Sequence, residues 1–136
     1  MNYRLLLLPL VLVIALSTGK AADLPADAEI EKLLVGKWVQ EEMMNGITIK
    51  ATTTYEKGGR LSGEATINAG DRMIKIVVLG SWKMTMGKLT ETIDKSEPPT
   101  IPAGKTSTDE LLEINKKICR YRAEDGTERT KTRVAE

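Results

Sequence analysis

Hydrophobic and polar residues alternate with a period of two over most of the chain, which is typical of β-strands with one buried face. The longest such stretch runs from Met73 to Met86. One face of it carries Ile74, Ile76, Val78, Gly80, Trp82 and Met84. Turn residues separate the stretches, and Asn45-Gly46 is the strongest two-residue hairpin signal. The pattern predicts an all-β fold, a small antiparallel up-and-down barrel of about eight strands.

The segment 109–118 allows two interpretations. Ser107 and Glu110 fit a helix-capping box, and the apolar residues that follow also have helical spacing. Yet Leu112 and Ile114 alternate as in a strand, and Asn115-Lys116-Lys117 is compatible with a turn. We favour strands, because a clear hairpin follows, with Ile118–Arg122 and Thr127–Val134 as its arms.

Two segments depart from the alternation. A short helix is predicted over 23–34, where Asp23 can cap the first turn and Gly36 can end the helix; it would close one end of the barrel. Lys95 to Thr108 contains three prolines, which exclude a central strand or helix. This segment is either a functional loop, centred on Pro98–Pro102, or a solvated polyproline II linker.

Gly80 interrupts the longest predicted strand. Because glycine inside a strand marks a bend or a close approach of another backbone, we expect one of these at Gly80.

The first 21 residues have the features of a secretory signal peptide. Arg4 precedes an apolar run from Leu5 to Leu16, and Gly19 and Ala21 supply the small residues of a cleavage site. We expect an exported product, periplasmic or extracellular, that begins at Ala22 and has no membrane anchor. Residues 22–136 would then form a single domain.

Composition removes several classes of function. The chain has 20 basic and 19 acidic residues, so charge gives no case for binding nucleic acid. It has no histidine and one cysteine, Cys119, which we expect to be a small buried hydrophobe. No catalytic residues, metal ligands or cofactor are predicted, and we expect a protein that is not an enzyme.

Several groups of side chains were weighed as sites. Neighbouring carboxylates in a strand point to opposite faces, so these pairs are predicted to be solvated: Glu41-Glu42, Asp109-Glu110 and Glu124-Asp125. A solvated outer strand face is also predicted for six of the seven basic C-terminal residues, which are Lys116, Lys117, Arg120, Arg122, Arg129, Lys131 and Arg133. The methionines fill core gaps or line a ligand cavity: Met43, Met44, Met73, Met84 and Met86.

A glycine followed two residues later by tryptophan occurs twice, as Gly36-Lys37-Trp38 and Gly80-Ser81-Trp82. Together with Thr54-Tyr55, Gly87-Lys88-Leu89 and the hairpin from Asp125-Gly126 to Arg133-Val134, these motifs resemble the small secreted lipocalin-like proteins of bacteria, within the calycin group. The resemblance covers roughly residues 33–134. It implies that an arginine of the last strand packs over the tryptophan of the first, which corresponds to Arg133 on Trp38. If the register is shifted, Arg129 takes that place.

The resemblance leads to a functional hypothesis: a non-catalytic protein that binds a small hydrophobic molecule inside the barrel, gated by the Pro98–Pro102 loop. The candidate cavity residues are Trp38, Tyr55, Val78, Trp82 and Met84. The alternative is an interaction module or inhibitor with a filled core, which would hold a protein partner through its surface or the same loop. A hollow barrel would favour the first hypothesis and a packed one the second.

Overall fold

The computed structural model describes residues 24–135. The predicted signal peptide, its predicted cleavage site and Asp23 lie outside the described residues. Within the described range the chain forms one helix and eight strands: α1 (Asp27–Leu34), β1 (Gly36–Met44), β2 (Ile47–Tyr55), β3 (Arg60–Ala69), β4 (Arg72–Thr85), β5 (Lys88–Glu97), β6 (Lys105–Ile114), β7 (Ile118–Arg122) and β8 (Glu128–Arg133).

The strands form a closed barrel in sequence order, and all neighbours are antiparallel. The predicted all-β fold is therefore confirmed. Tight turns make the order possible; at the β1–β2 turn, Asn45 and Gly46 both have positive φ angles, as a two-residue hairpin requires. Residues 109–114 belong to a strand rather than a helix, and a turn at 115–117 leads to the next strand at Ile118. In that turn the Asn115 side chain accepts the backbone N–H groups of Lys117 and Ile118.

Gly80 lies at a register irregularity between β4 and β5. A Cβ atom there would overlap the backbone carbonyl of Thr92 on β5. The sequence-based expectation of a close backbone approach is confirmed.

The proline-rich segment is shorter than predicted. β5 continues to Glu97 and β6 begins at Lys105, so only residues 98–104 are irregular. The prediction of a break from Lys95 to Thr108 was wrong at both ends. The prolines all lie within 98–102, and the flanking residues pair with neighbouring strands, for example Lys95 with Leu79 and Thr106 with Thr92.

One end of the barrel is closed by α1. Ile30 and Leu34 are fully buried against the barrel. The Asp27 carboxylate accepts the backbone N–H groups of Met86 and Gly87 at 2.7 and 2.9 Å, which ties the start of the helix to the β4–β5 turn. The helix begins later than predicted, after Ala26, which makes no side-chain cap.

An apolar core, the closed-end core, fills this end of the barrel. Its members are Ile30, Leu34, Trp38, Tyr55, Leu61, Trp82, Met84, Leu89, Leu111, Ile114 and Cys119. Cys119 is a free, buried thiol, as predicted, and burial raises its pKa to about 11. The opposite end, formed by the turns β1–β2, β3–β4, β5–β6 and β7–β8, has no helix across it within residues 24–135. We call it the open end.

Candidate functional site

A polar layer separates the closed-end core from the open end. Lys131 on β8 is only 6% exposed. Its ammonium donates to the Tyr55 hydroxyl at 2.7 Å and lies 5.1 and 4.8 Å from the ring centroids of Tyr55 and Tyr121. The Tyr55 hydroxyl in turn donates to Glu91 at 2.6 Å. Burial, and then the Glu91 charge, raise the pKa of Tyr55, so this phenol stays protonated and serves as a bridge.

Beyond this layer, one wall of the interior carries charged and polar groups. We call it the charged wall. Strand pairing places its members on the inner face: Gln40, Glu42, Ser107, Asp109, Tyr121 and Arg129. Arg129 pairs with Glu42 at 3.2 Å, and Gln40 donates to the same carboxylate at 2.8 Å. The Tyr121 hydroxyl donates to the Gln40 side-chain oxygen.

Asp109 lies on this wall, beside a cavity of about 310 Å³ bordered by Ser107, Tyr121, Arg129 and the β7–β8 turn. Burial raises the pKa of Asp109 to about 6, and the Glu91 charge adds to that rise. Lys131 and Arg129 oppose it. The carboxyl therefore titrates in a range where most aspartates are fully ionised.

The opposite wall is apolar. Strands four apart in an eight-stranded barrel face each other, so β2–β4 lie across from β6–β8. Side chains alternate along strands, so the inner face of β2–β4 carries Ile49, Ala51, Ala65, Ile67, Ile74 and Ile76. We call this the apolar wall. Ile74 is 47% exposed, which leaves its end of the wall in contact with solvent. The space between the two walls, above the polar layer, is the cup.

The 98–104 loop borders the mouth of the cup. Ser96 pairs with Val78 and therefore faces the interior. The Ser96 hydroxyl donates to the Ile101 carbonyl at 3.3 Å and accepts the Ile101 N–H at 3.1 Å. These bonds fold the loop toward the inner side of β5.

The five predicted cavity residues all face the interior, at different depths. Trp38, Tyr55, Trp82 and Met84 belong to the closed-end core, and Val78 is half-buried next to the apolar wall. Tyr55 and Trp82 make an edge-to-face contact with ring centroids 5.6 Å apart. Both indole N–H groups are satisfied, by the carbonyls of Leu34 and Glu56. Four of the five thus help to build the floor beneath the cup.

Arg133 lies over Trp38. The two residues are register partners at the seam between β1 and β8, and the guanidinium carbon is 4.4 Å from the indole centroid. The guanidinium also donates to the carbonyls of Leu33, Val35 and Lys116. A Cβ atom at Gly36 would overlap this guanidinium, which explains the glycine two residues before the tryptophan.

A cavity of about 650 Å³ lies outside the barrel, between α1, the β2–β3 turn and β4. Trp82 borders it, as do Lys32, Lys57 and Lys83. This groove opens to solvent at the closed end and is separate from the cup.

Several residues of the charged wall were assigned to the wrong face from sequence. Arg129 and Lys131 were predicted among the residues of a solvated outer face, but the pairing of Trp38 with Arg133 turns both inward. Arg133 itself lies over Trp38, the position that the resemblance implied. Glu42 and Asp109 were likewise predicted to be solvated, and both face the interior. Asp109 lies two residues before the buried Leu111, and alternate residues of a strand share a face, so its inward orientation could have been inferred from Leu111.

The methionines were also misassigned. Met84 is in the core, but Met43, Met44, Met73 and Met86 are exposed, with Met73 at 71%. The first three lie at the tips of the β1–β2 and β3–β4 hairpins, where strand pairing beyond the closed barrel leaves side chains uncovered. They form part of the rim of the open end.

Within residues 24–135, no group of three or more histidine, cysteine, aspartate or glutamate side chains is arranged to hold a metal ion. The same part of the chain contains no helix of the length and hydrophobicity needed to cross a membrane.

Comparison with known proteins gives little further guidance. Neither the protein-family models nor the curated proteins provide a match. Among solved structures, the chain is similar to a porin-like protein from Bacteroides uniformis, at 13% identity and a TM-score of 0.28. The match covers 68% of this chain and 46% of the other, so the chain spans about half of that protein's length. At this score the likeness carries no argument.

Proposed function

We propose that this chain is a non-catalytic, lipocalin-like binding protein that holds a small, largely apolar molecule in the cup. An eight-stranded barrel is wide enough to hold one small ligand, so the fold is compatible with a binding role. The observation that carries the proposal is the apolar wall. Its isoleucine row, formed by Ile49, Ile67, Ile74 and Ile76, faces inward and is partly exposed to solvent above the closed-end core. An apolar ligand would cover that surface.

The 98–104 loop supports the same proposal. It is bonded to the inner face of β5 beside the mouth, and its Ile101 side chain is half-buried. A ligand in the cup would lie next to this loop, which would act as a partial lid.

Binding of dodecanol, measured by calorimetry below its solubility limit, tests the proposal. Ile67→Asp places a charge on the apolar wall and should weaken binding by at least about tenfold, because the alkyl chain then lies against a carboxylate. Thr66→Asp is the matched control. Thr66 is the next residue on β3 and faces outward, between Lys50 and Lys75.

Binding reduced by Ile67→Asp alone supports the cup. Equal effects of both substitutions, or no binding by the unaltered protein, would reject it. If the unaltered protein does not bind dodecanol, the alternative is favoured, in which the protein is a module that binds a protein partner. Mass spectrometry of small molecules that copurify with the native protein would then identify a natural ligand or show that none is carried.

We also propose that the protein is exported, on the basis of the leader-like residues 1–21. N-terminal sequencing of the protein from the extracytoplasmic fraction should begin at Ala22. Recovery there of protein that still carries residues 1–16 would contradict cleavage.

A further inference from the structure

The two walls of the cup differ in charge as well as polarity, and the charge is unbalanced. Deeper than the rim, the interior carboxylates beyond the core are Glu42, Glu91 and Asp109, and the interior cations are Arg129 and Lys131. At the rim, strand pairing also places Arg72 and Lys105 on the inner face. The 310 Å³ cavity itself is bordered by three carboxylates, Asp109, Glu124 and Asp125, and by one cation, Arg129, so acidic groups outnumber basic ones around it.

Both interior cations already have partners. Lys131 is held by the Tyr55 hydroxyl, with Glu91 at 3.9 Å, and it lies against two tyrosine rings. Arg129 is shared between Glu42 at 3.2 Å and Asp125 at 3.0 Å. Neither side chain is free to receive an anionic ligand without giving up a carboxylate.

Asp109 is different. Within residues 24–135 it makes no ion pair, although it faces the cup and borders the cavity. The nearby Glu124 carboxylate is engaged with the Thr108 N–H at 2.6 Å. The cavity thus presents one inward carboxylate that makes no ion pair within the described residues. The apolar wall does not line this cavity but lies on the opposite side of the barrel interior.

We infer that the cup selects a ligand with a positively charged head group, such as an alkylammonium, placed at Asp109 with its apolar part along the isoleucine row. This inference rests on the proposed function and names its ligand class. An ammonium would supply the cation that Asp109 lacks and would also be attracted by Glu124 and Asp125. A carboxylate head group in the same cavity would meet these three acids, and the one cation that lines it, Arg129, is already paired with Glu42 and Asp125.

The titration of Asp109 provides a second measurable effect of ammonium binding. Burial and Glu91 on β5 raise the pKa of Asp109 to about 6, while Lys131 and Arg129 on β8 lower it and Glu124 raises it. Tyr121 and Cys119 on β7, whose own pKa values are raised by burial, remain neutral near this pH. A bound ammonium favours the ionised carboxyl, so binding at pH 6 should release a proton, and affinity should rise from pH 5 to pH 7.

The test compares three ligands with the same alkyl chain, dodecylammonium, dodecanol and dodecanoate, by calorimetry at pH 7.5. The two ionic ligands are kept below their micelle concentrations and dodecanol below its solubility limit. Dodecylammonium should bind about tenfold tighter than dodecanol, as expected for one charge-assisted hydrogen bond, and dodecanoate more weakly than dodecanol. Asp109→Asn should reduce dodecylammonium to the affinity of dodecanol and leave dodecanol unchanged. Glu110→Gln, at the adjacent outward position where Glu110 pairs with Arg122, is the control and should alter neither.

Calorimetry at pH 6 in two buffers of different ionisation enthalpy completes the test. Proton release with dodecylammonium should occur in the unaltered protein and disappear in Asp109→Asn. Equal affinity for all three ligands, or tightest binding of dodecanoate, would overturn the inferred selection for a positive charge but would still support ligand binding in the cup. Failure of all three to bind would overturn the proposed function together with the inference.

Discussion

At the closed end of the barrel, Leu34 is fully buried and Trp38 is 1% exposed; toward the open end of the same sheet, Ile74 is 47% exposed on the inner face. The closed end has a helix across it, and both of its indole N–H groups are bonded. The open half has apolar side chains that are partly exposed and an aspartate, Asp109, that makes no ion pair with any residue between 24 and 135. The closed end is thus organised for stability, and the open half retains surface and charge that a ligand can satisfy.

This difference agrees with a general feature of binding proteins, in which a rigid scaffold supports a region of lower local stability. The polar layer around Lys131 is the boundary. Below it, removing atoms should destabilise the fold; above it, substitutions should alter binding more than stability. The following predictions test that boundary.

The largest effect is expected for Gly80→Val, at the level of the closed-end core. Its Cβ would overlap the Thr92 carbonyl, a backbone atom of β5 that cannot move without breaking the β4–β5 ladder. We expect a loss of more than about 3 kcal/mol in the free energy of unfolding, or failure to fold. Gly58→Val is the control, because no atom lies within 4 Å of a Cβ there and only its positive φ adds strain. Equal losses in urea titrations would refute the close approach.

A direct comparison of the two ends uses one substitution at two isoleucines. Ile30→Ala removes a fully buried side chain at the closed end and should cost about 2–3 kcal/mol. Ile74→Ala, on the open half, should cost less than about 1 kcal/mol, because the side chain is already partly in water. Similar losses at the two sites in chemical denaturation would show that the open half is as well packed as the closed end.

Arg133→Lys tests the seam at the closed end. Lysine retains the charge but lacks the planar group that lies over Trp38 and bonds three carbonyls, so we expect a loss of about 1–2 kcal/mol. Arg120→Lys is the matched control, since Arg120 faces outward and pairs with Glu113 and Glu128. It should cost less than about 0.5 kcal/mol in thermal melts. A larger loss for Arg120→Lys than for Arg133→Lys would count against the stacking role.

The smallest expected effect is the pH dependence of Asp109→Asn. The pKa of Asp109 is raised in the folded protein to about 6 from an ordinary value of 3.8, so the folded state binds the proton more tightly. The unaltered protein should therefore lose stability as pH rises from 4 to 6, and the variant should not. Because Asp109 is partly exposed, we expect the variant to gain less than about 1 kcal/mol at pH 7. If denaturation shows that Asp109→Asn gains no stability relative to the unaltered protein between pH 4 and pH 7, the ionised Asp109 carboxylate does not destabilise the fold.

The strand order and most turns were predictable from sequence because local signals coincide with the global pattern. Asn45-Gly46 and Asp125-Gly126 mark turns with positive φ, and Gly80 marks the irregular register. In the buried half of β4, the alternation of apolar residues correctly predicts which side chains face the interior.

The charged wall was not predictable in the same way. β8 reads Glu-Arg-Thr-Lys-Thr-Arg and contains no apolar residue, so its inner face has the appearance of a solvated one. In β6, an irregularity between Leu111 and Glu113 shifts the alternation, so counting by twos from the buried Ile114 places Asp109 on the wrong face. The direction of these side chains is decided by pairing with distant strands, above all β1, and not by neighbours in sequence.

The seam between β1 and β8 also has a consequence for how the chain folds. Seven of the eight strand pairings join consecutive strands, whereas this one joins the two ends of the barrel and has only two register pairs. Because the entropy lost in closing a long loop precedes any gain from the contact, hairpins should form first and the seam last. In the native state the amide of Val39, which faces β8, should then be among the first strand amides to exchange with solvent, since opening the seam leaves every hairpin intact.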